Sequence, residues 1–154
     1  MSKNNDLEKI MSLAPNIRDA DEPDFTLALE QYVMSYGVVA FKSINNAIRS
    51  GKYPKTLISR MIIKIGQMED SDEYLRLVFL IECLHCSYAY IRNAAAIALS
   101  YMTPNPKIIN NIRLAIYKEN SIIVKKNLEK VYNSCQHEGN VHENQIESRR
   151  EAIL

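Results

Sequence analysis

The chain has 154 residues, 47% of them hydrophobic, and its nineteen basic and eighteen acidic residues leave a net charge of +1. That length and composition fit one domain with a real core and exclude two of ordinary size, while the near-neutral balance weighs against a generic polyanion binder. No apolar run approaches the roughly 18 residues of a membrane span, and Met1-Ser2-Lys3-Asn4-Asn5-Asp6 has no apolar secretory core, so a cytoplasmic protein is expected.

Residues 1–24 are polar, are punctuated by Pro15 and Pro23, and hold one short apolar cluster at Leu7, Ile10, Met11 and Leu13, which reads as an N-terminal capping arm with a helical turn or two. Asp24 is placed to N-cap a helix carrying Leu27, Leu29, Tyr32, Val33 and Tyr36, which Gly37 ends. From Val38 a second helix carries Phe41, Ile44, Ala47 and Ile48 at helical spacing and stops at Ser50-Gly51. Pro54 suits the turn before a third, over about Lys55 to Met68. The acids from Glu69 to Glu73 sit favourably at the start of a fourth, whose Tyr74, Leu77, Val78, Leu80, Ile81 and Leu84 cover so much of its circumference that it is expected to be the central buried helix. An alanine-rich fifth helix runs to about Tyr101, where Pro104 and Pro106 break it. A last pair carries Ile108, Ile112, Ala115 and Ile116, then Val124, Leu128 and Val131. About seven helices are predicted, with no strand, forming a domain over residues 25–135 and leaving a polar tail over 136–154 in which Glu143 to Leu154 reads either as a marginal helix or as a mobile segment.

The apolar pattern of the alanine helix recurs. A step of 33 residues back from Ile91, Ala94, Ala95 and Ala98 lands on Ile58, Met61, Ile62 and Ile65, and a step forward lands on Val124, Asn127, Leu128 and Val131. A unit of that length holds two antiparallel helices, each pair stacking on the next to bury its apolar face. The run Ile91-Arg92-Asn93-Ala94-Ala95-Ala96-Ile97-Ala98-Leu99 resembles the second helix of HEAT-like repeats, in which a branched aliphatic residue and an arginine precede an alanine-rich stretch. The resemblance covers roughly residues 38–134, with Val124-Lys125 replacing Ile91-Arg92 in the following repeat. It implies an all-α fold, a right-handed α-solenoid of antiparallel helix pairs used mostly for binding, in which Arg92 pairs with an acid or carbonyls of a neighbouring turn.

Charge is distributed in blocks along the chain. Residues 37–68 carry six basic side chains and no acid, and residues 91–135 seven basic against two acidic, whereas residues 1–36 and 69–90 are each net −4. In a stack of repeats such blocks become surface stripes of alternating sign, suited to a partner-docking surface. Second helices of successive repeats line one side of the stack. Tyr88, Tyr90, Arg92, Lys125 and Lys126 are therefore the candidate partner-binding residues, sharing a surface with Lys55 and Ser59. Nine tyrosines without a tryptophan suit such an interface, and Tyr88, Tyr90, Tyr101, Tyr117 and Tyr132, all near helix ends, are read as an aromatic rim.

The sequence holds little chemistry. Three cysteines fit a reducing compartment. Cys83, His85 and Cys86, with Cys135, His137 and His142, have suggestive zinc-ligand spacing, but cysteines three apart on a buried helix end are better read as small apolar residues. The pairs His137-Glu138 and His142-Glu143, compared with the di-iron sites of HEAT-like hydroxylases, lie five residues apart in the tail, outside the repeat register. With four glycines there is no phosphate loop, and no nucleophile has a motif-like base. No enzyme, cofactor or metal site is expected. The expected function is binding and occluding another protein, in the manner of a bacterial immunity or adaptor protein. The rival is a nucleic-acid groove built from Lys64, Arg92, Lys125, Lys126 and Lys130.

Overall fold

The computed structural model describes residues 3–13, 23–69 and 71–136, and among them every regular element is a helix. They are α1 (Lys3–Ser12), α2 (Pro23–Tyr36), α3 (Val38–Arg49), α4 (Lys55–Gln67), α5 (Glu73–Leu84), α6 (Ala89–Leu99) and α7 (Pro106–Lys118), followed by α8 over residues 122–136. The count is one more than the apolar pattern predicts. The addition is α1, which buries Leu7, Ile10 and Met11, spaced i, i+3 and i+4, against α2 and α3. A ten-residue helix is marginal alone, so its stability comes from that packing, joined by a 3.0 Å hydrogen bond from the Tyr36 hydroxyl to Asp6 Oδ2.

Helix α2 starts at Pro23, so Asp24 lies inside the first turn and not at the predicted cap. Proline is suited to that start because the first N–H of a helix has no partner to lose. The buried stripe is Phe25, Leu29, Tyr32 and Val33; Leu27, read from the sequence as inward, is exposed because 100° per residue carries it off that stripe, whereas Tyr36 continues the stripe but stands at the helix end, where it is exposed. Gly37 then joins α2 to α3 in a single residue at φ 52°, ψ −123°, a conformation that side chains with a Cβ disfavour.

The closest helix pair is α4 with α6, while α5, which touches α3, α4, α6 and α7, holds the central position its apolar sequence predicts without being buried all round. Ile58, Met61, Ile62 and Ile65 of α4 and Ile91, Ala94, Ala95 and Ala98 of α6 are all buried. Gly66 is the reason for the close approach: a Cβ there would collide with the backbone carbonyl of Ala98. The apolar surplus of α5 is divided instead. Leu77, Leu80, Cys83 and Leu84 enter the core, Leu75, Val78 and Ile81 are half-buried on its outer side, and Tyr74 is exposed. Arg76 of α5 is only 6% exposed and donates from Nη1 to the carbonyls of Ile65 (3.2 Å) and Gly66 (3.3 Å), closing the C-terminal end of α4; burial lowers its pKa. Beside these contacts α5 packs on α3, α6 and α7. Helix α8 meets α6 through Asn127 Nδ2, which donates to Asn93 Oδ1 at 2.7 Å.

Candidate interaction surface

The first turns of α4, α6 and α8 carry the groups singled out by the sequence. Helix α6 starts after Tyr88, which gives no side-chain cap; the preceding residues Cys86 and Ser87 turn the chain and leave their carbonyls open to Arg92. Tyr88 is 51% exposed and Tyr90 half-buried, with ring centroids 6.0 Å apart and planes at 40°. The Lys55 ammonium, from the first turn of α4, stands 5.4 Å from the centre of the Tyr90 ring, within cation–π range. Lys55, Tyr88 and Tyr90 therefore form one cluster, and Ser59 lies half-buried one turn along α4 from Lys55.

Arg92 has a different place. Its Nε donates to Glu119 Oε2 at 2.7 Å and its Nη2 to Glu119 Oε1 at 2.8 Å, a two-pronged pair, while Nη1 donates to the carbonyls of Cys86 (3.0 Å) and Ser87 (2.9 Å). The arginine side chain is 20% exposed and the glutamate 2%. The hydrogen bond with Arg92 holds the Glu119 carboxyl below the usual carboxylate range and raises the arginine further. Arg92 is thus a clamp between the α5–α6 turn and the loop before α8, and it belongs to the scaffold rather than to a free docking surface. A cleft of about 330 Å³ opens beside it, lined by His85, Leu114, Lys118 and Asn120 among others.

Lys125 and Lys126 are exposed on the first turns of α8, next to Asn127, whose bond to Asn93 fixes α8 against α6. Together α4, α6 and α8 carry Lys55, Arg60, Lys64, Arg92, Lys125, Lys126 and Lys130 against a single acid, Glu129. The five tyrosines read as one rim are dispersed. Tyr101 lies beyond the opposite end of α6, Tyr117 is exposed at the end of α7, and Tyr132 of α8 accepts from Arg113 Nη2 (3.3 Å) and Gln136 Nε2 (2.8 Å).

Metal chemistry finds no support among the described residues, where no three His, Cys, Asp or Glu side chains converge. Cys83, Cys86 and Cys135 are buried and in no disulfide, and burial pushes the Cys83 thiol up to about 12. His85 turns away from the cysteines, its Nε2 lying 3.2 Å from Asn111 Oδ1 of α7. His137, His142 and the tail helix expected over 143–154 lie outside the described residues. No described helix is long and apolar enough to cross a membrane.

Sequence reasoning missed Glu119, Asn93, Arg76 and Gly66. Only two carried a signal, Arg76 as the one base in an apolar helix and Gly66 as a glycine inside a helical pattern. Comparison with protein-family models, with curated proteins and with solved structures finds no match.

Proposed function

We propose that the chain is a non-enzymatic protein-binding module of the reducing cytoplasm, a HEAT-like right-handed stack of antiparallel helix pairs whose second helices, α4, α6 and α8, present a docking face to one acidic partner. The observation that carries this reading is the Lys55–Tyr90–Tyr88 cluster at the starts of α4 and α6, on the same row of helices that exposes Lys125 and Lys126. Tyrosines with a wet hydroxyl and a dry ring are favoured anchors, and unbalanced lysines steer an acidic surface toward them. Arg92 supports that face from behind and is removed from the list of contact residues; Tyr88, Tyr90, Lys125 and Lys126 remain. Occlusion of a single partner, as an immunity or adaptor protein does, fits a surface this small.

A photo-reactive residue at Tyr90 or Lys125 is expected to trap one protein in the cells that make this chain. Tyr88→Ala and Lys125→Glu, both at exposed side chains, are expected to weaken capture of that protein while the melting temperature stays nearly unchanged. Trapping from the outer face of α5 or α7 instead, with both variants capturing normally, would discard the reading.

The same row of bases favours one rival, a nucleic-acid phosphate groove. Fluorescence anisotropy with duplex DNA and single-stranded RNA separates the two, because phosphate contacts weaken steeply with salt, by about −0.9 in log–log slope per contact on duplex DNA. Binding weaker than ~10 μM at physiological salt is expected, outside the usual range of specific complexes. Sub-micromolar binding lost on reversing Lys125, Lys126 and Lys130 to glutamate would transfer the assignment to the rival.

A further inference from the structure

A second surface, on the opposite layer from the one above, is apolar where solvent should find polar groups. Helices α3 and α5 run side by side in register: the Gly37 position lies against Leu75, Phe41 and Phe79 meet with ring centroids 5.2 Å apart, and Asn45 and Glu82 follow on the same groove. Two helices held parallel in this way leave a straight furrow between them. It has a volume of about 160 Å³ and a floor of Val38, Phe41, Leu75, Val78 and Phe79. Val38 is 51% exposed, and Val39 beside it also stands open to solvent. The two phenylalanines of the floor are already buried, so what the furrow offers a partner is the strip formed by Val38, Val39 and the half-buried Leu75 and Val78.

The rims of the furrow identify that partner. One wall carries Lys42 from α3 and the other Glu82 from α5; both are exposed, and no ion pair joins them within one chain. A surface with opposite charges on its two edges and an apolar floor is complementary to itself. A two-fold axis laid along the furrow turns the α3 wall of one copy onto the α5 wall of the other, which sets each Lys42 toward the second copy's Glu82 and the valines of each α3 over the other's groove. We propose that this face is an isologous interface with a second copy of the chain. The self-matching charges favour this over a foreign amphipathic helix, which would have to bring its own acid and base in that same order.

The experiment is sedimentation velocity on the full chain from about 1 to 200 μM. A concentration-dependent dimer is expected, and Val38→Glu is expected to return it to monomer. Lys42→Glu and Glu82→Lys singly are expected to weaken the dimer at least about tenfold, since two-fold symmetry counts each new repulsion twice. The double exchange, Lys42→Glu with Glu82→Lys, is expected to restore it. The charge variants alter exposed side chains only, so they keep the test decisive if Val38→Glu misfolds. A monomer at every concentration overturns the proposal and leaves the groove to a foreign helix; a dimer indifferent to the three substitutions, or one that the double exchange fails to restore, overturns it as well.

Discussion

The two seams flanking α6, one toward α4 and one toward α8, differ in chemistry. Toward α4 the contact is dry: Gly66 lets the helix backbones approach, and Ile58, Met61, Ile62 and Ile65 fill the space against alanines. Toward α8 polar contacts are added to the buried Val124, Leu128 and Val131: Asn127 is hydrogen-bonded to Asn93, and Arg92 is paired with Glu119 from the loop before α8. Close apolar packing penalises any added atom, whereas a satisfied polar seam penalises any lost partner. The difference shows how one helix is held on its two sides by two means. The Asn127 position, which reads in the sequence as a break in the apolar pattern, is the place where the second means takes over.

That contrast breaks most visibly at Arg92. Arg92→Ala removes both charge-assisted bonds to Glu119 and leaves its carboxylate facing the neighbouring cleft with the Ser121 N–H as a remaining donor, at an expected cost of about 2–3 kcal/mol. For a domain of this size each kcal/mol moves the melting temperature by about 2–4 °C, so thermal unfolding should shift by on the order of 10 °C. A shift of a degree or two would show that the polar seam is held by something else. Gly66→Ala tests the dry seam, where the new methyl meets backbone that cannot rotate away. A loss of about 1–3 kcal/mol is expected, read from denaturant unfolding, although alanine is the better helix former by roughly 1 kcal/mol. A stabilised Gly66→Ala would mean the helices separate freely there.

Acid sharpens the comparison, because only one seam titrates. The folded pKa of Glu119 lies below its unfolded value, so its ionisation contributes stability that is fully present above that unfolded value, about 4.3, and is lost as pH falls through the folded pKa. Melting curves taken from pH 6 down to about 3 are expected to fall more steeply for the native chain than for Glu119→Gln. Parallel curves would remove the ion pair from the account. The smallest effect is expected at the amide pair: Asn127→Ala should cost about 1 kcal/mol, and the double variant with Asn93→Ala little more, since the two changes remove one shared hydrogen bond. Additive losses in that double-mutant cycle would show that the two residues are not coupled.

The sequence by itself determined that the chain is helical, where α3 to α8 lie, and which of their faces point inward, because a 3.6-residue apolar period is a local property that each segment carries alone. Ile91, Ala94, Ala95 and Ala98 are legible in that way, and so are the turns at Gly37, Gly51 and Pro106. Neighbours across space decided the rest. The short cluster at Leu7, Ile10 and Met11 becomes a helix only because α2 and α3 offer it an apolar bed. Arg92 leaves the docking surface because Glu119, 27 residues away, reaches it, and Leu27 leaves the core because the stripe through Phe25 and Leu29 takes the contact. Helices α4 and α6 come so close because Gly66 of one leaves room for the Ala98 carbonyl of the other. None of these is a periodicity. Each is a meeting of two surfaces, and which groups meet is settled when the helices pack.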